Sequence, residues 1–150
     1  MSFEELLRKR SIEPVAATPQ EIAELLAVSQ RDLRAAQVML LTDLDWAFAI
    51  AYNGILQMST AYMNHLGFRP CGEGKHYNTF GFMDQAMPED AQMVRRLQKL
   101  RRKRNAAVYD QPGLVSEKEA RDIIQFASRY YAAIEAKLPS EVTAQVPRED

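Results

Sequence analysis

Apolar residues in this chain recur at intervals of three and four over long stretches, and that spacing limits the fold more than any other feature. Ile22, Leu25, Leu26, Leu33, Ala36 and Leu40 form one such series. Ala47, Ile50, Gly54, Met58, Ala61 and His65 form a second. Ala120, Ile123, Ile124, Ala127, Tyr131, Ile134 and Leu138 form a third. A helix turns once in 3.6 residues, so each series is a stripe that needs a partner to cover it. The strand signature, apolar and polar residues alternating among β-branched side chains, is missing throughout. The expectation is an all-α fold.

Start and stop signals divide the stripes into elements. Thr18-Pro19-Gln20-Glu21 reads as an N-cap, a proline in the first turn and an acid at the third position. The next helix begins near Asp43 or Asp45 and ends at Gly67. Residues 68–75 read as loop from their glycines and proline, and a short helix covers 76–86. Pro88-Glu89-Asp90 opens another pattern, with Met93, Leu97, Leu100 and Arg104 on one stripe. Asp110-Gln111-Pro112-Gly113 stops it. Ser116-Glu117-Lys118-Glu119 is a capping box for the last long helix. Antiparallel helices with short connections make an up-and-down bundle of four main helices, with short helices added, over residues 18–138. Residues 1–17 read as a peripheral short helix (3–10) and a linker, and 139–150 as a disordered tail.

Composition removes several classes of function. The formal net charge is -1, so the whole chain has no excess of positive charge for nucleic acid, and any basic surface must come from segregation. Cys71 is the only cysteine, which excludes an intrachain disulfide framework and fits a reducing compartment. The most apolar stretch, Trp46 to Met63, is broken by Asn53, Gln57, Ser59 and Thr60, short of the ~20 apolar residues of a membrane span. The N-terminus is acidic and shows no signal-peptide pattern. The expected location is the cytoplasm, with no membrane association. His65, Cys71 and His76 have no zinc-motif spacing and lack a fourth ligand, so no metal and no cofactor is expected. His65 reads as a helix-end donor, and Tyr130 and Tyr131 as one core and one surface aromatic. Gly72-Glu73-Gly74-Lys75 has too few features for a phosphate loop.

Charge is segregated at one place. Between Arg95 and Arg104, seven of ten residues are Arg or Lys. Such a run is often only a solvated helix face. Here, however, Arg104 continues the Met93–Leu97–Leu100 stripe, where an apolar residue would be expected. A guanidinium in that position must be paired with an acid such as Asp32, Asp43 or Asp45, or meet a ligand, or lie at an interface. Its planar fork suits phosphate oxygens.

Arg104-Asn105-Ala106-Ala107-Val108-Tyr109-Asp110 resembles the motif of the HEPN family: an Arg, a polar residue, a few variable positions and a His. Arg104 and Asn105 match, and Tyr109 stands where the His would be. Ala47 through Pro70, with Tyr52-Asn53 and Leu66-Gly67-Phe68-Arg69-Pro70, is similar to the family's second helix and turn. Gly72-Glu73-Gly74-Lys75-His76 is similar to the turn that follows. The resemblance spans about residues 20–137. It implies a homodimeric helical bundle with two Arg motifs facing a shared cleft, acting on or binding RNA or a nucleotide. It further implies toxin–antitoxin, defence or RNA-processing roles, with a nucleotidyltransferase or antitoxin protein as partner. The implied catalytic set is Arg104, Asn105 and Tyr109. Arg101, Arg102, Lys103, Lys75 and His76 are the candidate nucleic-acid contacts.

The Tyr in place of His bears on chemistry. Metal-independent RNA cleavage needs a base for the 2′-hydroxyl and a charge at phosphorus. Arg104 suits the second task, but a Tyr with a pKa of about 10 is a poor base at pH 7. Binding is therefore expected ahead of cleavage. A ribonuclease using Tyr109, or a non-catalytic dimeric partner of antitoxin type, are the alternatives. Residues five apart on a regular helix point about 140° from each other. Arg104 and Tyr109 can therefore share a site only if the helix ends between them or a second copy supplies one.

Overall fold

The computed structural model describes residues 1–147. Along the chain come α1 (Phe3–Arg8), β1 (Ile12–Pro14), α2 (Pro19–Met39), α3 (Leu44–His65) and β2 (Phe68–Pro70). These are followed by α4 (Lys75–Ala86), a 3-10 turn (Pro88–Asp90), α5 (Ala91–Asn105) and a π-helical turn (Ala106–Asp110). The last elements are α6 (Glu117–Glu135) and α7 (Ser140–Thr143). The fold is an all-α helical bundle with one small two-stranded sheet. No helix among the described residues is long and apolar enough to cross a membrane.

The helix starts follow from their caps. Thr18 Oγ1 accepts the Glu21 N–H, Asp43 accepts the Trp46 N–H, and Ser116 and Glu119 satisfy each other's backbone N–H groups. Each such cap contributes about 1 kcal/mol. Pairs of residues fix the directions of the four long helices. Asn53 on α3 donates to Asp32 on α2, and Gly54 packs on the Ser29 carbonyl, so α2 and α3 form an antiparallel hairpin. A Cβ at Gly54 would sit 3.2 Å from that carbonyl oxygen, so the glycine sets the close approach. Helix α5 runs against α6, with Lys103 bonded to Glu119 at one end and Lys137, just past α6, bonded to Glu89 and Asp90 at the other. Directions alternate through α2, α3, α5 and α6, as in an up-and-down bundle.

Helix α3 is central and buried on nearly all sides, from Ala47 and Phe48 to Tyr62 and Met63. Its expected stripe is thus only part of its buried surface. Helix α6 buries its whole expected series, from Ala120 to Ile134, and Leu138 beyond it. Each large apolar side chain so buried contributes about 1.5–3 kcal/mol.

Four expectations need correction. The N-terminal segment is not peripheral: Leu6 is buried, and the Phe3 ring packs on Phe68 and Phe82. Two strands exist, pairing Ile12 with Pro70, Glu13 with Arg69 and Pro14 with Phe68. At three residues each they are too short to display alternation. The segment after 138 is not a disordered tail as far as residue 147: α7 buries Val142 and packs on α2, while 148–150 lie outside the described residues. Finally, Tyr130 and Tyr131 are both buried, because each hydroxyl finds a polar partner, Ser59 and Gln30 respectively. The connection from α3 to α5 is also longer than a bundle loop. It carries β2 and α4, and this lays α4 along α5 beside the basic run.

Candidate functional site

Helix α5 winds regularly as far as Asn105 and then widens. The Gln111 N–H donates to the Ala106 carbonyl, five residues back, at 2.9 Å. This π-helical turn resolves the geometric difficulty posed by the motif. A wider turn brings residues five apart toward the same side. The Arg104 guanidinium carbon accordingly lies 5.6 Å from the centroid of the Tyr109 ring. No second copy of the chain is required to place Tyr109 beside Arg104.

Arg104 is half-buried, and its surroundings are unusual for a cation. Its guanidinium carbon is also 5.5 Å from the ring of Tyr52 on α3. Its Nη1 donates to Asn105 Oδ1 at 3.2 Å. Its Nε is buried and has no hydrogen-bond partner among the described residues. The acids that could have paired with it are engaged elsewhere. Asp32 is bonded to Arg31 and Asn53, Asp43 caps α3, and Asp45 accepts the N–H groups of Gly113 and Val115. No salt bridge to Arg104 occurs among the described residues. Two aromatic faces contribute about 0.5–2 kcal/mol each to a cation in such a position. The C-terminal end of α5, where Arg102, Lys103 and Arg104 occupy the last turn, adds about 0.3–1 kcal/mol per favourable charge.

Helix α4 supplies the opposite wall. The Tyr52 hydroxyl and His76 Nδ1 are 3.0 Å apart. Burial pushes the Tyr52 phenol above its ordinary range, against the pull of Arg104 and Arg101, so it stays neutral. Burial also lowers the His76 pKa, and the positive charges of Arg104 and Arg101 lower it further. At pH 7 His76 is therefore a neutral imidazole. When the phenol donates, Nδ1 accepts and the imidazole proton sits on Nε2. Beside His76, the Tyr77 ring centroid is 5.3 Å from the Arg101 guanidinium carbon. Arg101 Nε donates to Gln98 Oε1, and Gln98 Nε2 donates to the Tyr77 carbonyl. This pair of bonds fixes the guanidinium against α4.

The structure thus brings Arg104, Asn105, Tyr109, Arg101 and His76 into one cluster. It leaves three expected contacts outside. Lys103 is held by Glu119 at 3.0 Å and by the Leu114 carbonyl, so it anchors the start of α6. Its charge does not reach water freely, contrary to the expectation from its place in the basic run. Arg102 and Lys75 are exposed, and no hydrogen bond, ion pair or ring contact joins either of them to the cluster among the described residues. Tyr52 and Tyr77 also belong to the site, although the sequence marks neither as a contact. Tyr52 was legible only as part of a family-like segment, and Tyr77 only as an aromatic following His76. The remaining histidine and the cysteine have other partners. The His65 ring stacks on Tyr62, and the Cys71 thiol donates to the Arg10 carbonyl.

The cluster offers two guanidinium groups, a neutral imidazole, an amide and three phenol rings, and among the described residues no carboxylate is bonded to either guanidinium. Such a set attracts an anion that also presents a flat ring. Comparison with family models, with curated proteins and with solved structures gives no match.

Proposed function

We propose that this chain is a HEPN-like RNA- or nucleotide-binding protein whose phosphate anchor is Arg104. One observation carries the reading: a half-buried guanidinium with an orphaned Nε, two phenol rings and no acidic partner among the described residues. A buried charge left without a counterion normally costs several kcal/mol. A phosphate supplies the missing charge, and its oxygens accept from the free edge of the fork. His76 and Asn105 add a donor and an amide beside it. The reading extends to a homodimer acting in a toxin–antitoxin, defence or RNA-processing setting, with a nucleotidyltransferase or antitoxin-type protein as the associated partner.

The test is binding of a fluorescent RNA oligonucleotide, followed by anisotropy at several salt concentrations. Wild-type protein binds with an affinity that falls as salt rises, and Arg104→Ala loses most of it. Absence of RNA and nucleotide binding at low salt overturns the proposal. Sedimentation settles the dimer independently.

A second reading, metal-independent ribonuclease, draws on the contact of Tyr109 with Arg104. The phenol can donate a hydrogen bond or a proton, but phenols as a class are weak general bases at neutral pH. Cleavage of RNA in EDTA by wild-type protein, abolished by Arg104→Ala, would establish this reading. Tyr109→His refines the test. If one side chain separates binding from cleavage, this variant acquires EDTA-resistant activity that depends on Arg104.

A further inference from the structure

Tyr77 and Tyr109 share a feature that a simple phosphate site does not need. Both are strongly exposed, at 53% and 73%, although each has a guanidinium close to its ring. The exposed portion of each ring is open to a second planar group. The two rings are served by different arginines, Arg101 for Tyr77 and Arg104 for Tyr109. These arginines are one turn apart on α5, a rise of about 4.5 Å. Along the helix the order is therefore ring, cation, cation, ring.

We infer that Tyr77 and Arg101 form a second base-stacking subsite, so that the site takes two successive unpaired nucleotides of a single strand. One base stacks on Tyr109 and its neighbour on Tyr77, and the phosphates between and beside them meet Arg104 and Arg101. This rests on the RNA-binding reading above and narrows it. A mononucleotide can occupy one ring only. In a duplex the base faces are already stacked on one another, and an RNA helix offers side chains its hydroxyls, phosphates and base edges instead. Stacking on exposed rings beside a cationic track is the recognition mode of single strands. The subsite is also held in advance. Gln98 ties the Arg101 Nε to the Tyr77 carbonyl, at 2.8 and 3.0 Å, which leaves the terminal amino groups of Arg101 without a protein acceptor among the described residues.

The test uses a fluorescent single-stranded RNA about ten nucleotides long, the same strand annealed to its complement, and AMP as competitor. The single strand binds at least about tenfold more tightly than the duplex, and AMP competes only at much higher concentration. Tyr77→Ala and Tyr109→Ala each weaken single-strand binding about 5–150-fold, the range for loss of one stacked base. Their salt slopes match wild type, because stacking releases no counterion, whereas Arg101→Ala lowers the slope by about one unit. Tyr77→Phe retains wild-type affinity, since the ring and not the hydroxyl is used, and it covers the case in which Tyr77→Ala fails to fold. Equal binding of single strand and duplex, still sensitive to Arg104→Ala, overturns this inference and leaves the broader function standing. So does a Tyr77→Ala variant that folds and binds like wild type. Failure of both RNA forms to bind, or binding of an acidic peptide in their place, overturns the two together.

Discussion

The two ends of α5 treat a cation in opposite ways. At its N-terminal end Lys137 reaches two carboxylates, Glu89 and Asp90, and its pKa is raised, chiefly by the bond to Glu89. At its C-terminal end Arg104 meets two phenol rings and an amide, and no carboxylate among the described residues. Both side chains sit in partly covered positions, yet one is complete and the other is not. The difference identifies which end has a structural task. A paired cation joins α6 to the start of α5. An unpaired one, held by groups that cannot neutralise it, retains its full attraction for an anion.

Exchanging the two ends by mutation is the strongest way to break this comparison. Arg104→Ala should cost about 1.5–3 kcal/mol of RNA binding, roughly 10–150-fold. The thermal midpoint should hardly move, because removing the unpaired, partly buried charge offsets the loss of its two ring contacts. Lys137→Ala should do the reverse, lowering the midpoint in a melting experiment while leaving RNA affinity alone. If Lys137→Ala weakens binding as much as Arg104→Ala does, the two ends are not functionally distinct.

Arg104→Lys sharpens the same contrast. It preserves the charge but not the planar fork, so affinity should fall about tenfold while the salt slope stays near wild type. Full affinity in this variant would mean that charge alone is read.

Acidity should move binding by a smaller factor. His76 faces Tyr52 from α3 and feels Arg104 and Arg101 from α5, and its folded pKa lies below the ordinary 6.5. The unfolded chain therefore binds the proton more readily, and the free protein loses stability as pH falls through about 6.5 toward the lower folded value. A bound phosphate reverses the sign for affinity. It favours the imidazolium, so RNA binding tightens as pH falls from about 7.5 to about 5.5. His76→Gln should flatten that profile; an unchanged profile would assign the titration elsewhere.

Tyr109→Phe should have the smallest effect, about 1 kcal/mol or less, since it removes one neutral hydroxyl and keeps the ring. Isothermal calorimetry can resolve that difference. A larger loss would give the phenol oxygen a direct part in holding or cleaving the ligand.

The sequence exposes some parts of the molecule well and others hardly at all. The face of α6 is legible because one side of that helix is buried and the other wet, so the pattern is clean from Ala120 to Leu138. The face of α3 is blurred because the helix is covered on almost every side. The strands at 12–14 and 68–70 depend on a pairing across the chain that three residues cannot announce. In the candidate site, Arg104 is legible as a charge that interrupts an apolar stripe. Its neighbours are harder. Tyr52 lies in an apolar helix where any aromatic reads as core, and His76 reaches it only because the α3–α5 connection folds back. Ala106-Ala107-Val108 reads as ordinary helix, so the widened turn that carries Tyr109 round to Arg104 leaves no local signature.

That widened turn makes the site depend on chain length as well as on side-chain chemistry. An i to i+5 ring holds one residue more than the i to i+4 ring of an α-helix. The meeting of Arg104 and Tyr109 is thus a property of counting. Deleting one of Ala106, Ala107 or Val108 would leave the tyrosine four residues after Arg104, the spacing at which a regular α-helix places two side chains on one face, whereas closing the turn without a deletion would carry the tyrosine away. Among relatives of this chain, a spacing of five between the arginine and the aromatic residue should go with a widened turn, and a spacing of four with a regular one.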